Sequence, residues 1–197
     1  MMRSVYESQD DILNAIIALH SPEGFDCDVT YGNGQFYKAI GQPALKFDID
    51  PQLPDVIKAS SSDLPIPDAN VKSLMFDPPF LTYIKSAREH NSIMGKRFGG
   101  YWNYSELEQH YTSTIKEAKR VLVKRGLMTI KCQDIIHNHK MHCTHVNVIQ
   151  WANVEGFRLK DLFILHTKHK MPMPVKNSTQ KHARIHHSYF LVFEALL

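Results

Sequence analysis

The stretch SLMFDPPF, Ser73 to Phe80, leads an apolar run straight into a carboxylate, two prolines and an aromatic ring. Leu74, Met75 and Phe76 read as the end of a buried strand. Proline lacks the backbone N–H and is a poor guest in a central strand, so the strand stops here. It stops by presenting an acid and a ring on a stiff corner that has few donors of its own.

Outward from this corner the chain alternates strand and helix signals. Upstream, DDILNAIIALHS has helical spacing, with Ile12, Ile16, Ile17 and Leu19 apolar and acids at its start. FDCDVTYGNG reads as a strand entering a glycine turn, and ALKFDID as a second strand stopped by Pro51. SSSDLPIPDAN is a turn-rich loop. Downstream, residues 85–104 show no period and read as a long loop. YSELEQHYTSTIKEAKRVLVKRG reads as a helix, opened by a Ser105/Glu108 capping box, lined by Tyr111, Ile115, Ala118 and Leu122, and ended by Gly126. LMTIKC is a strand and HVNVIQWANVEG a helix closed by glycine. RLKDLFILHT and HSYFLVFEAL are the last strands, predicted to pair antiparallel at one edge. Such alternation implies an α/β layer fold with a mostly parallel sheet.

The 197 residues, 43% hydrophobic, suffice for one domain with a full core. No signal-peptide pattern or membrane-spanning run is present, and three cysteines, Cys27, Cys132 and Cys143, argue for a reducing, cytoplasmic setting. The net charge of +3 hides an asymmetry. Residues 1–80 hold 5 Lys/Arg against 12 Asp/Glu, while residues 81–197 hold 18 against 8, with 11 of the 12 histidines. A basic second half suits a polyanion, most simply nucleic acid.

Three short motifs carry chemistry. In DVTYGNG, Gly32 and Gly34 let backbone approach a ligand, although a lone Gly-x-Gly equally fits a plain tight turn. Tyr37 stands where a dinucleotide fingerprint needs its third glycine, which disfavours a nicotinamide dehydrogenase. In FDID, Asp48 or Asp50 ends the next strand, where an acid can accept hydrogen bonds from ribose hydroxyls. At the corner, the Asp77 carboxylate and the Pro78 carbonyl are two fixed acceptors, and Pro79 keeps the chain from relaxing. Two acceptors suit an exocyclic NH2, and drawing on both hydrogens frees the nitrogen lone pair for attack on an electrophile. Phe80 offers a stacking face, worth about 1–3 kcal/mol for a flipped base.

The order DVTYGNG, FDID, SSSDLP, FDPPF resembles the class I S-adenosylmethionine-dependent methyltransferases, specifically the DNA methyltransferases that methylate an amino group, adenine N6 or cytosine N4. EAKRVLVKRGLMTIKCQD and HARIHHSYFLVF look like the family's later helix, fifth strand and closing hairpin, so the resemblance covers about residues 25–195. It implies a Rossmann-like class I methyltransferase fold with helices on both faces and an antiparallel edge hairpin. The whole chain, 1–197, is then one methyltransferase domain, with cofactor and catalytic half 25–80 and basic half 81–197. The implied cofactor is S-adenosylmethionine. Asp28, Thr30, Tyr31, Gly32 and Gly34 would shape its site, Asp48 or Asp50 would hold the ribose, and Asp63 and Leu64 would meet the adenine. Asp77, Pro78, Pro79 and Phe80 would orient the target amine, with Asp77 also bordering the cofactor.

The chain departs from that family in having no room for a large target-recognition domain. Residues 85–104 and 166–184 are the segments left to read a target, unless a partner or a second copy supplies specificity. Arg88, Lys96, Arg97, Tyr101 and Trp102 mix charge with rings, and Lys168, Lys170, Lys176, Lys181 and Arg184 could meet phosphates. Asp before the two prolines points to adenine N6 in DNA; RNA or protein amines, or a non-catalytic nucleic-acid-binding subunit, are the alternatives. The cluster Cys132, His137, His139, His142, Cys143 and His145 matches no zinc spacing and reads as surface histidines, with no metal.

Overall fold

The computed structural model describes residues 2–82, 100–167 and 181–196. Eight strands form one sheet in the order β4 (Ile57–Lys58), β3 (Leu45–Asp48), β2 (Cys27–Asp28), β5 (Val71–Phe76), β6 (Leu122–Cys132), β10 (His187–Ala195), β9 (Phe157–His166), β1 (Val5–Tyr6). Neighbours run parallel except β10, which is antiparallel to both β6 and β9. The expected antiparallel pair is therefore present but is not the edge, because β1 adds a parallel strand beyond β9. β7 (Ile135–His137) and β8 (Lys140–His142) form a separate hairpin, closed by Asn138 and His139 in left-handed conformations.

Three helices pack on this sheet among the described residues: α1 (Gln9–His20), α2 (Tyr104–Val121) and α3 (Thr144–Val154). Period-two alternation along the central strands separates two cores. Leu74, Phe76, Leu191 and Phe193 face α2 and α3, with Leu107, Tyr111, Ile115 and Val148. Met75, Phe190 and Val192 face α1, with Ile12, Leu13 and Ile16. No helix among the described residues is long and apolar enough to cross a membrane.

Two helix boundaries differ from the sequence reading. The N-cap of α2 is Asn103, which accepts from Glu106 N, while Glu106 Oε2 accepts from Trp102 N. The reciprocal cap thus forms two residues before Ser105. α2 also ends at Val121 rather than Gly126, because Leu122 is already extended and pairs with Val71. Sheet pairing overrides helical propensity over Leu122–Gly126.

Tyr111 is fully buried against Phe76, with ring centroids 5.3 Å apart, and its hydroxyl has no partner among the described residues. An unmet buried hydroxyl is a cost, so Tyr111→Phe is expected to raise unfolding stability by about 1 kcal/mol. Urea titration checks this, and a clear loss of stability would contradict it.

Candidate active site

β2 pairs with β3 on one side and with β5 on the other, so the strand order reverses at β2/β5. Open α/β sheets leave a crevice at such a point, outside the carboxyl ends of the strands. Asp28, Asp48 and Asp77 all lie at that edge, at or just beyond the ends of β2, β3 and β5. The three acids come together because each strand stops there.

The glycine turn and the corner are joined directly. Asp77 N donates to Thr30 Oγ1 at 2.8 Å, and that hydroxyl and Thr30 N both donate to Asp28 Oδ1. Tyr37 Oη donates to Asp28 Oδ2 at 2.6 Å. Asp28 is only 2% exposed, so it shapes the turn from beneath rather than facing a ligand. Tyr31 is buried as well, stacked on Tyr37 at 5.4 Å. The tyrosine standing where a third glycine was looked for thus forms the floor of the turn.

Gly32 and Gly34 adopt φ of +57° and +73°. A Cβ on Gly32 would point into open space, whereas one on Gly34 would stand 2.8 Å from Tyr31 Oη. Gly32 N donates to Asp48 Oδ2 and Asp50 N to Asp48 Oδ1, both at 2.8 Å, which holds Asp48 at the crevice while Asp50 is exposed. Asp63 is exposed in a tight turn closed on Ser60, and Leu64 is buried beside it with its N–H on Glu117 Oε1.

Burial pushes the Asp28 carboxyl up to about 7, against hydrogen bonds from Tyr37 and Thr30 that pull it down. Below its ordinary value of 3.8, native and unfolded chains both carry the proton; between there and about 7 only the native chain does. Stability from this group therefore falls as pH rises through that window. Asp28→Asn keeps the shape without the ionisation, so the variant should gain stability relative to the parent between about pH 5 and about pH 8. Denaturant titrations at both pH values test this, and a pH-independent difference would contradict it.

At the corner, Pro78 is buried while Pro79 and Phe80 are half-buried. The Asp77 side chain is 23% exposed, and its Oδ2 lies 3.5 Å from Lys131 Nζ. Burial raises the Asp77 carboxyl and Lys131 opposes that. Beneath the corner, Phe76 meets the edge of His110, which burial pushes down to about 4. His110 bridges Tyr101 Oη at 2.6 Å and Ser61 Oγ at 2.8 Å, and Ser61 reaches Thr114.

The expected contact residues divide. Tyr101 is 9% exposed with its hydroxyl on His110, so it is part of the interior and not a surface contact. Trp102 is 50% exposed, and Lys181 and Arg184 are exposed. Arg88, Lys96, Arg97, Lys168, Lys170 and Lys176 lie outside the described residues.

The histidine-rich stretch is not a plain surface. It forms the β7–β8 hairpin and the start of α3, where buried Asp134 accepts from His145 Nδ1 at 2.7 Å and His142 stacks on Tyr104 at 3.9 Å. Among the described residues no three His, Cys, Asp or Glu side chains converge to hold a metal ion.

Sequence reading missed Lys131 and the Tyr101–His110–Ser61 chain. A lysine inside LMTIKC, one residue from the end of a run whose only other polar residue is Thr129, was the available signal for the first.

No protein-family model matches the chain, and no curated protein matches it. Solved structures do match. The [4+2]-cyclase SpnF aligns over 95% of this chain and 82% of its own at 12% identity, with a TM-score of 0.57. A chain from the complex of the Haloferax volcanii Trm112 methyltransferase activator aligns over 87% and 81% at 14% identity, with a TM-score of 0.52. The chain has the Rossmann-like class I methyltransferase fold. TTHA0409 of Thermus thermophilus, which bears the name DNA modification methylase, aligns over 70% of this chain at 18% identity, with a TM-score of 0.49. This chain spans about half of TTHA0409, 52% of its length. At such identities the likeness is one of fold.

Proposed function

We propose that this protein transfers a methyl group from S-adenosylmethionine to an exocyclic amino group of a nucleobase, with adenine N6 in DNA as the target. The observation that carries this reading is the junction of the corner with the glycine turn, where Asp77 N rests on Thr30 Oγ1 across the reversal in strand order.

The residues present fit such a cofactor. Gly32 leaves open the space a side chain would fill, and Asp48 or Asp50 can accept from a ribose. The exposed Asp63 carboxylate can accept from an adenine amino group above Leu64. When bound, S-adenosylmethionine supplies a methyl group on a positively charged sulfur, an electrophile that needs no metal.

The chain's own part is to bind, orient and polarise. Asp77 and the Pro78 carbonyl accept the two amino hydrogens, which turns the nitrogen toward tetrahedral geometry and makes its lone pair available. An ionised acceptor makes the stronger hydrogen bond, so Asp77 acts as a carboxylate. It orients the amine and need not take a proton, which leaves for solvent after the nitrogen is alkylated. Phe80 stacks on the base, and Trp102, Lys181 and Arg184 meet the polymer around it.

Offering tritiated cofactor with duplex DNA, single-stranded DNA, RNA and protein tests the reading. Label is expected on DNA adenine. Label confined to protein, or cofactor binding absent while nucleic acid still binds, would overturn it.

A further inference from the structure

We propose that Lys131 is a positioning residue of this site, which clamps one oxygen of Asp77 and so admits only an amine that carries no charge. The inference deepens the methyl-transfer reading and rests on it.

Lys131 is the penultimate residue of β6, a strand otherwise buried beyond Arg125, and its register partner is Phe190. Its side chain is 13% exposed. Lysine is almost never enclosed unless paired. Here Nζ lies 3.5 Å from Asp77 Oδ2, donates to Gln9 Oε1 at 2.9 Å, and sits 5.0 Å and 5.6 Å from the ring centres of Phe36 and Phe190. Four side chains thus converge on one ammonium, and Asp77 is its anionic partner.

Two consequences follow for the acceptors. With Oδ2 held by Lys131, Asp77 Oδ1 and the Pro78 carbonyl remain, two acceptors for the two hydrogens of an NH2. Lys131 also keeps Asp77 an acceptor. The groups facing Asp77 are Asp28 from β2, Tyr37 from the turn after it, Tyr111 from α2 and Lys131 from β6. Burial favours the protonated acid, which would donate where the amine must donate; Lys131 is the group that counters it.

A third consequence concerns substrate class. An aliphatic amine arrives as an ammonium near neutral pH. In this cradle it would meet a second cation on the far side of the same carboxylate, and the two repel. The amino group of a nucleobase is neutral, because its lone pair is delocalised into the ring. The site is therefore built for a nucleobase amine and against a lysine side chain.

The test uses the full chain with Lys131→Met, which keeps length and packing, and Lys131→Arg, which restores charge. The Asp77 carboxyl is titrated by carbon-13 NMR without cofactor, assigned through its loss in Asp77→Asn. Methylation of duplex DNA and of a lysine-rich peptide is followed against pH in parallel. In Lys131→Met the Asp77 midpoint should rise by about one pH unit or more, with the acidic limb of DNA methylation moving alongside. Lys131→Arg should return both toward the parent, and the parent should leave the peptide unlabelled. An unmoved midpoint, a limb that stays in place while activity falls, or peptide labelled in preference to DNA would overturn the proposal. A parent chain that labels nothing, with the midpoint shift intact, would instead overturn the methyl-transfer reading and leave the Asp77–Lys131 clamp standing.

Discussion

Asp77→Ala is expected to lower methyl transfer to DNA by about 10³-fold or more while changing cofactor affinity by less than about threefold. The substitution removes one of the two acceptors that would orient the amine. It leaves the backbone of the corner in place, because Asp77 N keeps Thr30 Oγ1 and the two prolines keep their restricted φ. Truncation also strands Lys131, and breaking a largely buried pair this way can cost about 3–5 kcal/mol, so folding must be verified first. Asp77→Asn retains an acceptor oxygen and should lose less activity than the alanine variant. Calorimetry for the cofactor and single-turnover label transfer separate binding from chemistry. Turnover unchanged in Asp77→Ala would contradict the role given to the acid.

Gly34→Val should show the opposite signature, with cofactor affinity reduced about tenfold or more and the fold retained. At φ +73° a β-branched residue is an outlier, and its Cβ would stand 2.8 Å from Tyr31 Oη. The combined strain is on the order of 1–3 kcal/mol. Relief requires shifting Tyr31, which is stacked on Tyr37, and Tyr37 in turn holds Asp28. The turn is therefore rebuilt from its floor upward. Calorimetry on the variant, with circular dichroism to confirm folding, reads the effect. Cofactor affinity equal to the parent's would show that the turn does not shape that site.

How far the site was legible depends on how local its causes are. The corner was readable because prolines end a strand regardless of what surrounds them, and β5 stops at Phe76, one residue before Asp77. α1, α3 and the β9–β10 pair were readable from period and turn residues. The last residues of the long helix were not. Ala69 N and Asn70 N bond to the carbonyls of Arg120 and Val121, and Val71 pairs with Leu122, so distant strand pairing decides that boundary. β1 has two residues and is held by β9 from across the chain, which leaves no local pattern to read. The histidine cluster hid the β7–β8 hairpin because its composition draws attention to metal ligation, while its structure depends on two left-handed residues at the turn. Tyr101 looked like a surface ring in a basic loop, and only its bond to His110 places it inside. Lys131 acquires meaning from Asp77, 54 residues earlier, a partnership that no window of sequence contains.

If the corner is a fixed pair of acceptors for a nucleobase amine, the product must be a methylated base. DNA from cells expressing the parent chain or Asp77→Ala should be digested to nucleosides and analysed by mass spectrometry. The account predicts N6-methyladenine with the parent chain and its loss with the variant. DNA without any amino-methylated base, from cells in which the folded parent chain is abundant, would contradict it.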